Sequence, residues 1–89
     1  MLTLILSKKF QKQFDKLRLN EQGRVLACLE AFKANPDLPS LRRHALKGEL
    51  LGYMSISAGG DLRLHYYEKG DRITFVFVSV GTHSQLYKS

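Results

Sequence analysis

The tightest constraint on this chain is a pair of alternating runs between Gly60 and Tyr87. In the first, Leu62, Leu64 and Tyr66 leave one face of a strand while Arg63, His65 and Tyr67 leave the other. One face suits a core; the opposite one suits a polar, basic and aromatic surface. In the second run Ile73, Phe75 and Phe77 alternate with Thr74, Val76 and Val78, so both faces are largely apolar, as expected of a central strand covered on two sides. Glu68-Lys69-Gly70-Asp71 joins the two runs as a hairpin.

The residues upstream supply the covering layer. Leu2 to Leu6 reads as a strand, and Ser7 is a good N-cap for a helix with Phe10, Phe14 and Leu17 at i, i+4 and i+7. Lys8, Lys9, Lys12 and Lys16 take its solvated side. Asn20 is expected to cap a second helix with Val25, Leu26, Leu29 and Phe32 as its apolar positions, and Asn35-Pro36 ends it. Two amphipathic helices with almost no loop between them form a hairpin that needs a sheet to cover. The segment from Pro36 to Gly52 shows no strong period. Tyr53 to Ser57 is a strand with Met54 and Ile56 on its core side, and Ala58-Gly59-Gly60 turns the chain into the next one. Gly81 is expected to break the last strand, leaving Thr82 to Tyr87 as a tail or last turn. The fold class is therefore α+β: an N-terminal strand, then a two-helix hairpin packed on one face of a mainly antiparallel sheet, in the order β-α-α-β-β-β.

Eighty-nine residues allow one domain, spanning 1–89, with a small core. Fourteen lysines and arginines against eight acidic residues give a net charge of +6, which favours a polyanionic partner. Cys28 falls in the apolar pattern of the second helix and reads as core packing; as the sole cysteine it has no internal disulfide partner and implies a reducing compartment. The N-terminal run is too short for a signal peptide, and no segment approaches the ~20 apolar residues of a membrane span, so a cytoplasmic protein is expected.

The three histidines, His44, His65 and His83, are far apart in sequence and lack cysteine partners at ligand spacing, and there is no P-loop or dinucleotide fingerprint. Chemistry without a metal or cofactor is what the sequence offers. Arg63, His65 and Tyr67 share a face, Asp61 lies at its start, and His83 and Tyr87 follow the neighbouring strand. Arg42, Arg43, His44 and Lys47 crowd into six positions, a plausible phosphate-contacting edge. Metal-free RNA cleavage needs a base for the 2′-hydroxyl, an acid for the departing 5′-oxygen and cations for the phosphorane charge. Imidazole, carboxylate and guanidinium can fill those roles, while Tyr53, Tyr67 or Tyr87 could stack on a base.

The succession HALKGELLGY, GDLRLHYY and VGTHSQLY resembles the RelE/YafQ family of bacterial toxin ribonucleases from type II toxin–antitoxin pairs. The resemblance covers nearly the whole chain, and the closing segment is its most specific part. It implies a RelE-like fold and a ribosome-dependent endoribonuclease that cuts mRNA in the A site with contacts to 16S rRNA. It also implies a cognate antitoxin, expected to be acidic, that silences a toxin monomeric on its own. On this resemblance His44 matches a YafQ-type active-site histidine, Asp61 the acidic residue, His83 the histidine near the C-terminus and Tyr87 the C-terminal aromatic, while Arg63 is similar to the RelE-type strand arginine that holds the phosphate. The chain departs from the pattern at Ser57, where YafQ-like members have a histidine, at Leu62 in place of tryptophan and at Ser79 in place of arginine. Met54 and Ile56 stand where RelE-like members carry lysines. A gyrase-directed toxin of the same fold, or a catalytically weak antitoxin-binding protein, are the alternatives; GTHSQLY favours the ribonuclease.

Overall fold

A computed structural model describes residues 2–87 and orders them as β1 (Thr3–Leu6), α1 (Lys8–Asp15), α2 (Leu19–Ala34), β2 (His44–Ala45), β3 (Met54–Ser57), β4 (Leu62–Glu68), β5 (Thr74–Thr82) and α3 (His83–Tyr87). The strands form one sheet in the order β1-β5-β4-β3-β2. β1 runs parallel to β5, and every other neighbouring pair is antiparallel. This is the expected α+β arrangement with two additions. His44–Ala45 forms a fifth, edge strand, and the closing segment is a short helix. A two-residue strand has no period to detect, so its existence depends on β3 being in place to bond it.

The helices form where the sequence caps them. Ser7 is extended, and its hydroxyl accepts from the Phe10 N–H at 3.0 Å, starting α1. α2 begins two residues earlier than expected: Arg18, not Asn20, is the N-cap, and its N–H donates to Glu21 Oε1 at 3.1 Å. An acidic side chain at the third helical position reaches back to the cap, so Asn20 lies inside the first turn. Asn35 closes α2, and Pro36 follows.

Val25, Cys28, Leu29 and Phe32 are the buried face of α2, while Leu26 is 54% exposed. Adjacent helical residues project about 100° apart, so Val25 and Leu26 cannot both face the sheet. From the sheet, Ile56, Leu62, Leu64, Tyr66, Phe75, Phe77 and Val80 complete the core. Phe32 is fully buried, with ring centroids 5.0 Å from Tyr66, 5.1 Å from Phe75 and 5.5 Å from Phe77, all edge-on. Cys28 is buried as core packing; desolvation pushes its thiol up to about 11, so it stays protonated.

β5 departs from expectation at both ends. Ile73 lies just outside the strand and is exposed, and Gly81 does not break it. A Cβ on Gly81 would stand 2.9 Å from Gln85 Oε1, so glycine there lets α3 fold back onto its own strand. The ladder with β4 slips between His65, which pairs with Ser79, and Tyr66, which pairs with Phe77, so Val78 is passed over. On its other side β5 is paired by β1 only as far as Phe77. Beyond that point side chains take over: Ser7 Oγ donates to the Val78 carbonyl, Gln13 Oε1 accepts from Val80 N–H and Gln85 Oε1 accepts from Thr82 N–H.

Phe32→Ala should cost about 3–5 kcal/mol, because the emptied space is walled by three rings that cannot all collapse into it. Urea denaturation followed by far-UV circular dichroism checks this, and a loss under ~1 kcal/mol would mean Phe32 is not the keystone of the core.

Candidate functional site

The site lies on the sheet face turned away from α1 and α2. Strand register brings distant residues into rows there: His44 pairs with Ser55, Ser55 with His65 and His65 with Ser79. One row on, Ser57 pairs with Arg63 and Arg63 with Gly81. Two residues beyond Gly81 the chain enters α3, whose His83 N–H donates to the Asp61 carbonyl at 2.9 Å. Asp61, Arg63 and His83 are thereby drawn to one end of the β3–β4 and β4–β5 pairs. Thr82 Oγ1 accepts from Gln85 N–H and Gln85 Oε1 from Thr82 N–H, a reciprocal cap that fixes where α3 starts.

Arg63 is anchored by one nitrogen. Its Nη1 donates to Gly60 O at 2.8 Å, Leu62 O at 3.1 Å and Ser57 Oγ at 3.2 Å. Nη2 and Nε have no hydrogen-bond partner among the described residues, so the other edge of the fork is available to an anion. His44 is exposed, with Nδ1 3.1 Å from the Arg42 carbonyl. A carbonyl can only accept, so Nδ1 carries the proton and Nε2 of the neutral ring is a free acceptor. Tyr87 lies against two imidazoles, its ring 4.3 Å from His83 and tilted by 33°, and 5.2 Å from His65 and edge-on at 68°. Tyr53 and Tyr67 form an edge-to-face pair at 5.8 Å.

Other expected site residues are placed elsewhere or differently. Arg43 is ion-paired with Asp37 and lies near Tyr66, whose hydroxyl it acts to hold down against the stronger upward effect of burial, so Arg43 faces the helix side of the edge. Arg42, at a positive φ of 51°, lines a hollow with Pro36, Asp37, Leu38 and Pro39. Lys47 is exposed at the start of the turn Gly48–Leu50, outside the rows. His65, expected on an open basic surface, is only 3% exposed. Its period-2 position is as expected; α3 folding back with Tyr87 covers it. Leu62 belongs to the core, so the departure there from the family pattern lies on the other face of the sheet. Ser55, Gly81 and Gln85 had no site signal in sequence, because their importance lies in register and close approach. No three His, Cys, Asp or Glu side chains converge as a metal site would need among the described residues.

An α+β sheet of this order with a helical hairpin on one face matches the fold of RelE-like toxins. The family described as bacterial toxin of type II toxin–antitoxin system, YafQ, matches residues 2–88, and the chain belongs to it. A copper-bound mutant toxin from Helicobacter pylori is 35% identical, with 98% of this chain and 100% of that one covered and a TM-score of 0.73. YafQ from Escherichia coli is 18% identical over 98% of this chain and 99% of its own, with a TM-score of 0.71. The toxin–antitoxin complex RelBE2 from Mycobacterium tuberculosis aligns at 23% identity over 92% and 98%, with a TM-score of 0.66. The two structures under 25% identity support the fold alone. No curated protein matches the chain. Among the described residues no helix is long and apolar enough to cross a membrane.

Burial, and then the positive charges of His44, Lys9 and His83, lower the pKa of His65 from 6.5 to about 4. The unfolded chain therefore binds this proton more readily than the folded one, so the His65 contribution is complete above about pH 6.5 and is lost as pH falls toward 4. At ~1.4 kcal/mol per pK unit the loss is about 3 kcal/mol. His65→Phe, which cannot titrate, should flatten that part of the stability–pH curve; an unchanged slope in urea melts between pH 6.5 and 4 would contradict a buried neutral imidazole.

Proposed function

We propose that this toxin is a ribosome-dependent endoribonuclease that cuts mRNA in the A site by side-chain acid–base chemistry and is neutralised by a cognate acidic antitoxin. The observation that carries the reading is the convergence of His83, Asp61 and Arg63: His83 is bonded through its backbone to Asp61 and follows by two residues the strand partner of Arg63. An imidazole and a guanidinium with a free edge therefore lie at one end of the open face.

His44 Nε2 accepts the proton of the 2′-hydroxyl. The 2′-oxygen attacks the adjacent phosphorus, the bond to the 5′-oxygen breaks, and the products are a 2′,3′-cyclic phosphate and a free 5′-hydroxyl. Arg63 neutralises the charge that grows on the phosphorane oxygens, and its fork suits two of them at once. His83, as the imidazolium, gives its proton to the leaving 5′-oxygen. Tyr87 offers a stacking surface beside the acid, and the Tyr53–Tyr67 pair a second one for a neighbouring base. Lys47 and Arg42 add exposed cations beyond the rows, and the +6 charge draws the chain to ribosomal RNA. Arg43, tied to Asp37, supplies general charge rather than a base contact.

His83→Gln should bind ribosomes and melt like the parent yet cut programmed mRNA roughly 10²–10⁴-fold more slowly in single-turnover reactions. A rate within a few-fold of the parent across pH 6 to 8 would remove His83 as the acid and make His44 the leading candidate.

The antitoxin half of the reading is supported by the family and by the surface. Ile5 and Leu26 are exposed, and a cleft lined by Leu6, Phe10, Gln11, Phe14, Asp15, Leu26 and Leu29 opens between α1 and α2. An amphipathic segment would find an apolar seat there, and the +6 charge of the chain as a whole favours an acidic one. A co-expressed cognate antitoxin should stay bound at ~0.3 M salt, where screening acts beyond roughly 6 Å and apolar burial has to hold the complex. Complete release at that salt in a pull-down would count against it.

A further inference from the structure

The residue beneath the proposed acid is the unexplained part of this site. His65 Nε2 and Ser55 Oγ are both buried and have no hydrogen-bond partner among the described residues, although they belong to directly opposed strand positions. An orphaned polar pair in a small sheet costs stability, and two apolar residues could pack there instead. What His65 touches accounts for its presence. Its ring is met edge-on by Tyr87, and Tyr87 in turn lies over His83. The three rings form a column from β4 through the last residue of α3 to its first.

The helix they hold is a single turn and a half, too short to persist without tertiary contacts. Its other ties are the Thr82–Gln85 cap, the His83 bond to Asp61 and the Leu86 side chain close to Gly81. Those fix where α3 begins; they do not fix the tilt of the His83 ring. The stack with Tyr87 does, and Tyr87, 38% exposed, is itself steadied by His65.

We propose that His65 is a positioning residue: a neutral imidazole that forms the floor under Tyr87 and, through Tyr87, aims the His83 ring at the open face beside Arg63. The groups that face it are His44 from β2, Lys9 from α1, and His83 and Tyr87 from α3. None of these is a carboxylate, so a proton on His65 meets only neutral rings and like charge. Protonation then sets His65 against the positive charges of His44, Lys9 and His83 and draws water to a buried ring, which loosens the column and lets α3 swing. The floor therefore works only while His65 is uncharged, which the lowered pKa ensures at neutral pH. The effect on cleavage rests on the ribonuclease reading above, whereas the placement of Tyr87 and His83 does not.

The test uses the full chain as parent, His65→Phe, His65→Ala and Tyr87→Ala, followed by NMR of the histidine and tyrosine rings from pH 7.5 to 4 and by single-turnover cleavage on programmed ribosomes. In the parent, Tyr87 ring and α3 amide resonances should move with the titration of His65, whose midpoint lies well below the ordinary ~6.5. His65→Phe keeps an aromatic floor without a proton site, so those resonances should hold still over the same range. Its cleavage at pH 7.5 should stay within about threefold of the parent. His65→Ala should release Tyr87 and shift the His83 ring at every pH, and slow cleavage roughly 10–100-fold with ribosome binding unchanged. Should His65→Ala fail to fold, Tyr87→Ala removes the lid from the surface side, and the His65 midpoint should then rise toward ~6.5. Tyr87 and His83 resonances that ignore both the His65 titration and the His65→Ala change would overturn the proposal, as would a His65 midpoint unmoved in Tyr87→Ala. Parent protein that shows the NMR coupling but never cuts RNA would sink the ribonuclease reading and leave the positioning role standing.

Discussion

The ring of Phe32, held edge-on among Tyr66, Phe75 and Phe77, fastens the helical layer to the sheet. Three edge-to-face contacts around one fully buried ring fix both the depth of α2 and its rotation about its own axis. That rotation decides which side of α2 is left outside, so Leu26 borders the cleft beside α1 while Cys28 is sealed in the core. It also keeps Tyr66 and Leu64 pointing inward, and since strand side chains alternate, Arg63 and His65 must then face the other way.

β5 carries the connection from this core to the site. It is apolar on its inner face, paired on one edge by β4 from Phe75 to Thr82 with one slip at Val78, and on the other by β1 only to Phe77. A strand end without a neighbour would leave backbone groups unpaired, and here Ser7, Gln13 and Gln85 meet them from two helices. The arrangement frees the end of β5 from β1 so that the chain can turn at once into α3. Gly81 makes room for that turn, and the slip in the β4–β5 ladder sets His65 opposite Ser79 instead of Val78.

The cluster built this way uses two kinds of support. Arg63 and His44 are held by hydrogen bonds to backbone carbonyls, which fix one edge of each group and leave the other edge free. His83 is held by packing, through Tyr87, on a histidine that burial keeps neutral. The missing histidine at Ser57 fits the first kind of support, because the serine hydroxyl there accepts from Arg63 and helps to orient it.

The sequence by itself determined the α+β class, the helical hairpin, the β3–β4–β5 meander and most of the core, because these follow from periods of two and 3.6 and from Ser7, Asn35-Pro36 and the glycine turns. It also placed Asp61, Arg63 and His83 within reach of each other, since they flank adjacent strands of one hairpin. Tertiary structure alone decided the rest. The edge strand at His44 exists only because β3 offers bonds to it, and the burial of His65 follows from a helix that packs back over its own strand, a non-local contact that no local pattern encodes. The diversion of Arg43 to Asp37 is likewise a choice among charges that composition cannot tell apart. Period and capping are properties of neighbours in sequence, whereas register, cover and pairing of charges are settled between residues that meet only after the chain has folded.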